Sequence, residues 1–467
     1  MKAAIAKVLK AVVLTGLVSG AAIASAQDAR FRDGRFLETL GGVTLQRADE
    51  ASADEAVRNM PFLPGDRVWT DASGRAEIVF AGGEILWIAE RSKVDSLGRG
   101  GREQDERLGL RAFAGSFAAR VREGGDGFEF RAPGGTVTTT GGAAFRVDVR
   151  AGETTLSVTE GAVLAEFAAT RLSVRAGERV RYQDGAVDGP YRFARGDADA
   201  FDRWCEGRYS ELTRLARSRE EAPLTGELDE YAGELDGYGD WVYQEPVGYV
   251  YVPRVAWDWA PYTNGRWVYT LYGWTWVASE PWGFVTTHYG RWGYSANLGW
   301  HWMPRAGFAG AWVSWAFPTG RYASTVGWCP LGFDDRPLGF SPYGSGGRAV
   351  PRGSVQRASA PARSWNFAER SDLGRTRDPR RVDVPADEAQ RAVVWNAGVS
   401  PDREFRQSVA AAARHVAREA GARSARERDS AEGGRRIYVR PSAGDSTPEL
   451  RSDPSTTIPT PESRRGK

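Results

Sequence analysis

The sequence predicts a mainly β protein: an antiparallel β domain, one linking helix, a second β domain of hairpin repeats and a poorly folding C-terminal tail. Three observations predict it. Between residues 27 and 195, short alternating apolar runs recur between Gly-rich breaks, without the helical segments that parallel βαβ units need. Between 236 and 345, a Trp-rich pattern repeats about every 25 residues. From 346 onward Arg, Ser, Ala and Pro dominate, a composition that buries too little apolar surface for a core.

Residues 1–26 read as a secretory signal. Lys2, Lys7 and Lys10 supply a positive start, the apolar run AVVLTGLVSGAAIA follows, and Ala-Ser-Ala at 24–26 offers a cleavage site. The run is short for a membrane span. The mature chain is therefore expected to begin at Gln27 and to be periplasmic or otherwise exported. Its charge is uneven: residues 346–467 carry 24 basic and 16 acidic side chains, leaving residues 27–345 net acidic. Beyond the signal only Lys93 and Lys467 are lysines. An all-Arg bias of this kind reflects a GC-rich genome rather than nucleic-acid contact, and the exported address argues against nucleic acid as a partner.

In the first β domain (27–195), GGVTLQR at 41–47 opens the strand pattern. RAEIVFAGGEILWI at 75–88 reads as a hairpin, with Ile78 and Phe80 alternating and Gly82-Gly83 turning the chain. Phe145, Val147 and Val149 share one face of a later strand, and Leu156 and Val158 begin another; AGE and EGA sit where turns are expected. RLSVRAGERVRY at 171–182 supplies a further strand pair.

PFLPGDRVWTDASGRAEIVFAGGEILWIAERSKVDS at 61–96 resembles the opening half of a FecR domain. Gly65, Asp66, Val68, Thr70, Gly74, Ala76 and Leu86 occupy that family's motif positions. LRAFAGSFAARV matches its middle strand with a Gly-Ser turn, and the later strands follow in order. The resemblance implies an extracytoplasmic sensing or scaffolding module. Signalling members of that family carry a cytoplasmic anti-sigma segment and a membrane helix ahead of this domain. Here the signal leads almost directly into the β region, so an exported FecR module without that segment is expected.

Residues 196–235 change period. Phe201, Trp204, Cys205, Leu212 and Leu215 fall on one helical stripe, Asp197 or Asp199 can cap the start, and an acidic, Gly-punctuated linker follows. The stripe is expected to pack on a neighbouring sheet.

In the second domain (236–345), GRWVYTLYGWTWV at 265–277 aligns with GRWGYSANLGWHWM at 290–303, and GDWVYQEPVGYVYV at 239–252 is a looser copy. Period two places Trp267 and Tyr269 opposite Trp274 and Trp276, and Trp292 and Tyr294 opposite Trp300 and Trp302. Tyr249 and Tyr251 replace the Trp pair in the first copy. Residues 310–333 read as an irregular terminal copy. A hairpin alone is marginal, so repeated hairpins must bury aromatic faces on one another. The segment resembles the uncharacterised Trp-rich domain that often follows FecR-type domains in exported bacterial proteins. The connector residues Trp257, Trp259 and Trp282 need not serve the hairpins and are the candidate ligand contacts, for an envelope glycan or protein.

The chemistry-bearing residues are sparse. The three histidines, His288, His301 and His415, show no metal-ligand spacing, and His301 is expected to face away from Trp300 and Trp302. There is no nucleophile elbow and no phosphate-binding loop. No cofactor, metal or catalytic residue is expected, although a glycosidase-like carboxylate pair is a formal alternative, as is a structural spacer. Cys205 and Cys329 can form a disulfide in an oxidising compartment or stay as two buried thiols. In the tail (346–467), residues 401–420 read as a capped helix, and the Arg excess suggests contact with an anionic polymer.

Overall fold

The computed structural model describes residues 30–396, apart from 49, 51, 100–106, 218–221, 340–342, 345–347, 350–363, 375–378, 386–387 and 390–391. The signal at 1–26, the helix expected at 401–420, His415 and most of the tail lie outside the described residues.

The first fifteen strands form one sheet: β1 (Gly34–Leu40), β2 (Val43–Gln46), β3 (Ala53–Glu55), β4 (Pro61–Phe62), β5 (Arg67–Thr70), β6 (Arg75–Phe80), β7 (Ile85–Ile88), β8 (Lys93–Arg99), β9 (Leu108–Val121), β10 (Phe128–Ala132), β11 (Gly135–Arg150), β12 (Glu153–Phe167), β13 (Thr170–Arg175), β14 (Glu178–Gln183) and β15 (Ala186–Arg192). Its pairs are antiparallel except β9–β10. The expected hairpin at 75–88 is present as β6–β7, with Gly83 in the left-handed region at φ 82°. Phe145, Val147, Val149, Leu156 and Val158 all enter one core.

Two expected turns are bends inside long strands. The Gly-Ser of the middle strand lies within β9, which pairs with β8 before Gly115 and with β7 after it. EGA at 160–162 lies within β12, where pairing with β11 skips Thr159 between Val158 and Glu160. Both glycines have positive φ, which kinks the strand without ending its ladder. The pair expected at 171–182 does not form a mutual hairpin. β13 and β14 instead pair with opposite halves of β12.

Helix α1 (Ala200–Arg217) lays Phe201 and Cys205 on Ile85, Trp87 and Ala89, with Trp204 and Leu212 at the margin. Asp199 caps it, accepting the Phe201 and Asp202 N–H groups at 2.8 and 2.9 Å. The acidic stretch that reads as a linker is packed instead. A 3-10 turn (Gly226–Tyr231) and α2 (Ala232–Leu235) bury Leu228, Tyr231, Ala232 and Leu235.

The Trp-rich region begins with β16 (Gly239–Gln244) and β17 (Gly248–Pro253), then β18 (Gly265–Thr270) and β19 (Gly273–Ala278), the short α3 (Gly283–His288), and β20 (Arg291–Ser295) with β21 (Gly299–Met303). β22 (Val313–Phe317) and β23 (Thr325–Pro330) form the terminal copy. The first and third hairpins join through Tyr251 opposite Trp302. After a two-residue ladder of β24 (Tyr343–Gly344) and β25 (Arg348–Ala349), β26 (Asn366–Glu369) and β27 (Val393–Asn396) flank the terminal copy. Composition alone hides these two strands, which carry the ordered fold past residue 345.

All of these described residues belong to one compact unit. The middle hairpin has two buried faces. Trp267 and Trp276 face other indoles, while Val268 and Val277 join the core of the first sheet. Asn59 donates to the Ala278 and Glu280 carbonyls at 3.0 and 2.8 Å, Arg266 donates to the Glu55 carbonyl at 2.7 Å, and Tyr272 donates to Asp33. Alternation along β1 sends Phe36 into the first core and Arg35 to the opposite face. There Arg35 is 4% exposed, pairs with Glu234 and lies 4.6 Å from the Phe284 ring centroid. Arg35→Ala strands the Glu234 carboxylate in a largely buried site. The expected loss is about 3–5 kcal/mol of unfolding free energy, measured by denaturant titration. Arg254→Ala, whose Asp240 pair lies in solvent, should leave the midpoint unchanged.

Candidate functional site

Each hairpin carries two cross-strand aromatic pairs on one face. The outer pairs have nearly the same geometry: Tyr243–Tyr249, Tyr269–Trp274 and Tyr294–Trp300 meet edge to face at 5.3, 5.4 and 5.3 Å. The inner positions are Trp241–Tyr251, Trp267–Trp276 and Trp292–Trp302. The glycine that opens each copy is required by the inner ring. A Cβ on Gly239, Gly265 or Gly290 would lie within 3.0 Å of Tyr251, Trp276 or Trp302 respectively. Trp267, Trp276, Trp292, Trp302, Trp312 and Trp328 are fully buried, so most of the indole density is core. Trp292, Trp302, Trp312 and Trp328 also donate their N–H to backbone carbonyls.

The most exposed tryptophan of the region follows β17. Trp257 is 90% exposed. Two residues on, and on the same turn, Trp259 is half-buried against Trp282 and Trp292, and donates its indole N–H to Glu280 at 2.6 Å. Glu280 lines a cavity of about 360 Å³ with Asn264, Gly265 and Ser279. Burial raises its carboxyl above the usual range, and hydrogen bonds from Trp259 and Asn264 oppose that shift. The Asn59 bonds to the Ala278 and Glu280 carbonyls fix the end of β19 beneath it. The lining has one carboxylate, one amide and one hydroxyl, a set suited to hydrogen-bonding a polyhydroxylated ligand.

The three candidate tryptophans separate. Trp257 is exposed, Trp259 sits on the cavity carboxylate, and Trp282 is 4% exposed and packs against Tyr251, Trp259 and Trp292. Trp282 is therefore a core residue, because the chain turns into α3 directly after it. The disulfide is not formed. Cys205 is buried under α1 and Cys329 in the terminal sheet, each a free thiol in a separate core cluster. His301 faces away from its flanking tryptophans, opposite Gly293, as expected. His288 is fully buried, with Nδ1 at 2.9 Å from the Ala309 carbonyl. Among the described residues, no group of three or more His, Cys, Asp or Glu side chains could hold a metal ion. Sequence reasoning missed Glu280 and Asn264, since nothing in the repeat marks a connector carboxylate as half-buried.

Residues 66–164 match the FecR protein family. Residues 232–335 match a family of unknown function, DUF6600. Two crystal structures of a candidate anti-sigma factor from Parabacteroides distasonis are similar over part of the chain. The first shares 15% identity over 26% of this chain and 57% of its own, with a TM-score of 0.23; the second shares 15% over 32% and 73%, with a TM-score of 0.25. The chain thus spans just over half the length of the first. No curated protein matches the chain. No described helix is long and apolar enough to cross a membrane.

In the FecR segment the motif residues serve structure. Val68, Ala76 and Leu86 are core. Thr70 donates to the Ala89 carbonyl at 2.6 Å and accepts the Ser92 N–H at 2.9 Å. Asp66, 2% exposed, accepts the Leu63 N–H at 2.8 Å and pairs with Arg47. Burial pushes its carboxyl up to about 6, against the pull of Arg47.

Burial pushes His288 down to about 4, from an ordinary value of 6.5. Between those values the unfolded chain binds a proton that the folded chain refuses. His288 therefore costs stability as pH falls from 6.5 to 4, by about 3 kcal/mol in all. Asp66 acts with the opposite sign over nearly the same window, since its folded form holds the proton below pH 6. A substitution isolates one term. The stability deficit of His288→Gln relative to the parent should shrink by about 3 kcal/mol between pH 7 and pH 4, measured by denaturant unfolding at both.

Proposed function

We propose that this chain is an exported, non-catalytic cell-envelope protein. Its FecR-like sensing or scaffolding module and its Trp-rich module act as one body that binds envelope glycan beside Glu280. The observation that carries the reading is the pairing of a half-buried carboxylate with an indole N–H at an open cavity, two residues from a nearly fully exposed tryptophan. A carboxylate and an amide accept and donate to sugar hydroxyls, and indole faces stack on the apolar side of sugar rings.

A hydrolytic reading needs two carboxylates across the scissile bond, and the lining of this cavity carries a single one, Glu280. Export is part of the proposal and rests on the signal-like first 26 residues. Contact of the Arg-rich tail with an anionic polymer is a separable part of it, tested by shortening the chain after residue 396.

The test is retention of the mature chain, residues 27–467, on purified peptidoglycan and on envelope extract. The parent should be retained on peptidoglycan. Trp257→Ala and Glu280→Gln should each weaken retention by about tenfold or more, the scale of losing a hydrogen bond to a charged group. No retention on either material, or retention indifferent to both substitutions, contradicts the proposal.

A further inference from the structure

The FecR module carries a second concave surface, far from the Glu280 cavity in chemical character. β2, β5 and β8 lie side by side, with Gln46 opposite Arg67 and Trp69 opposite Lys93. Alternation sends Leu45, Val68 and Val94 into the core and leaves Gln46, Arg67, Trp69, Lys93 and Asp95 on the other face. A groove of about 460 Å³ opens there, within the size range of small-ligand sites. Trp69 is half-buried in it, and Phe113 on the adjacent β9 is 39% exposed. The Arg67 guanidinium and the Lys93 ammonium lie 5.2 and 5.4 Å from the Phe113 ring centroid.

The groove is cationic beyond its internal pairing. Arg67 binds Asp95 through Nε and Nη2 at 2.6 and 2.7 Å, which cancels one charge. Arg91 and Lys93 have no carboxylate partner among the described residues, so two positive charges face the groove unneutralised. Arg91 is held in the left-handed region at φ 51°, a conformation that favours Gly or Asn, and its side chain makes no ion pair there in return. Lys93 is the only lysine among the described residues of a chain that otherwise uses Arg.

We propose that this groove binds a carboxylated sugar unit of an anionic glycan, with the ring on Trp69 and the carboxylate between Arg91 and Lys93. Charge complementarity selects an anion, and the aromatic floor selects a ligand with a flat apolar face. An acidic peptide is disfavoured by the sheet itself. β5 is already paired on both sides, so no added strand can supply backbone hydrogen bonds beside the groove.

The scarcity of lysine gives the experiment its reporter. Reductive methylation of the mature chain with carbon-13 formaldehyde labels Lys93, Lys467 and the terminal amine, and Lys93→Arg identifies the Lys93 signal. Titration with trigalacturonate should shift that signal saturably, and a neutral galactose trimer should not. The exposed substitution Arg91→Gln, with an unchanged melting temperature, should weaken the trigalacturonate response at least about tenfold, the scale of losing a charge-assisted contact. Trp69→Ala should weaken it as well. Absence of a shift at millimolar trigalacturonate, or an equal shift with hexaglutamate, would overturn the assignment. Because the residues and probe differ from those of the Glu280 cavity, loss of this response alongside intact peptidoglycan retention refutes the groove alone.

Discussion

One buried guanidinium organises the junction of the first sheet and the Trp-rich region. Arg35 leaves a strand of the first sheet and enters the interior between Tyr231 and Phe284, where Glu234 answers its charge. A charge so placed is tolerated only while its partner and the surrounding rings hold their positions. The same boundary is crossed by Asn59, Arg266 and the Tyr272–Asp33 bond, and by Val268 and Val277, which complete the first core from the second segment. Neither segment closes its own apolar surface. What the family boundaries divide, packing joins.

That constraint also explains the tryptophans. The middle hairpin is buried on both faces, and its inner rings meet those of the terminal copy: Trp267 lies 4.5 Å from Trp315 and 5.7 Å from Trp328. Large flat side chains cover the most area per residue, which suits two-stranded units that cannot build layers of aliphatic core. The proposed ligand contacts fall where packing leaves side chains accessible: Trp257, the open edge of Trp259, the carboxylate of Glu280, and the cationic face outside the first sheet.

Much of the architecture was legible in the sequence. Period-two aromatic placement assigned the faces of the rings in the second and third hairpins, the Phe201–Cys205 stripe marked the helix that covers β7, and Asp199 was among its expected caps. The residues that join the segments were not legible. Arg35 alternates with Phe36 as any surface arginine would, and only a distant acidic stretch, itself read as a linker, makes it interior. Strand register hid the bends at Gly115 and at Thr159–Gly161, because a glycine that kinks a ladder and one that ends it look alike in one dimension. Trp282 looked free for the same reason. Its burial comes from Tyr251 and Trp292, on different hairpins.

Calorimetry of the mature chain tests the shared packing of the two segments most directly. If the two segments complete one another's cores, heating gives a single transition whose calorimetric and van't Hoff enthalpies agree, and residues 27–195 expressed alone show no cooperative transition. Two resolved transitions, one of them reproduced by the isolated 27–195 segment at the same temperature, would contradict it.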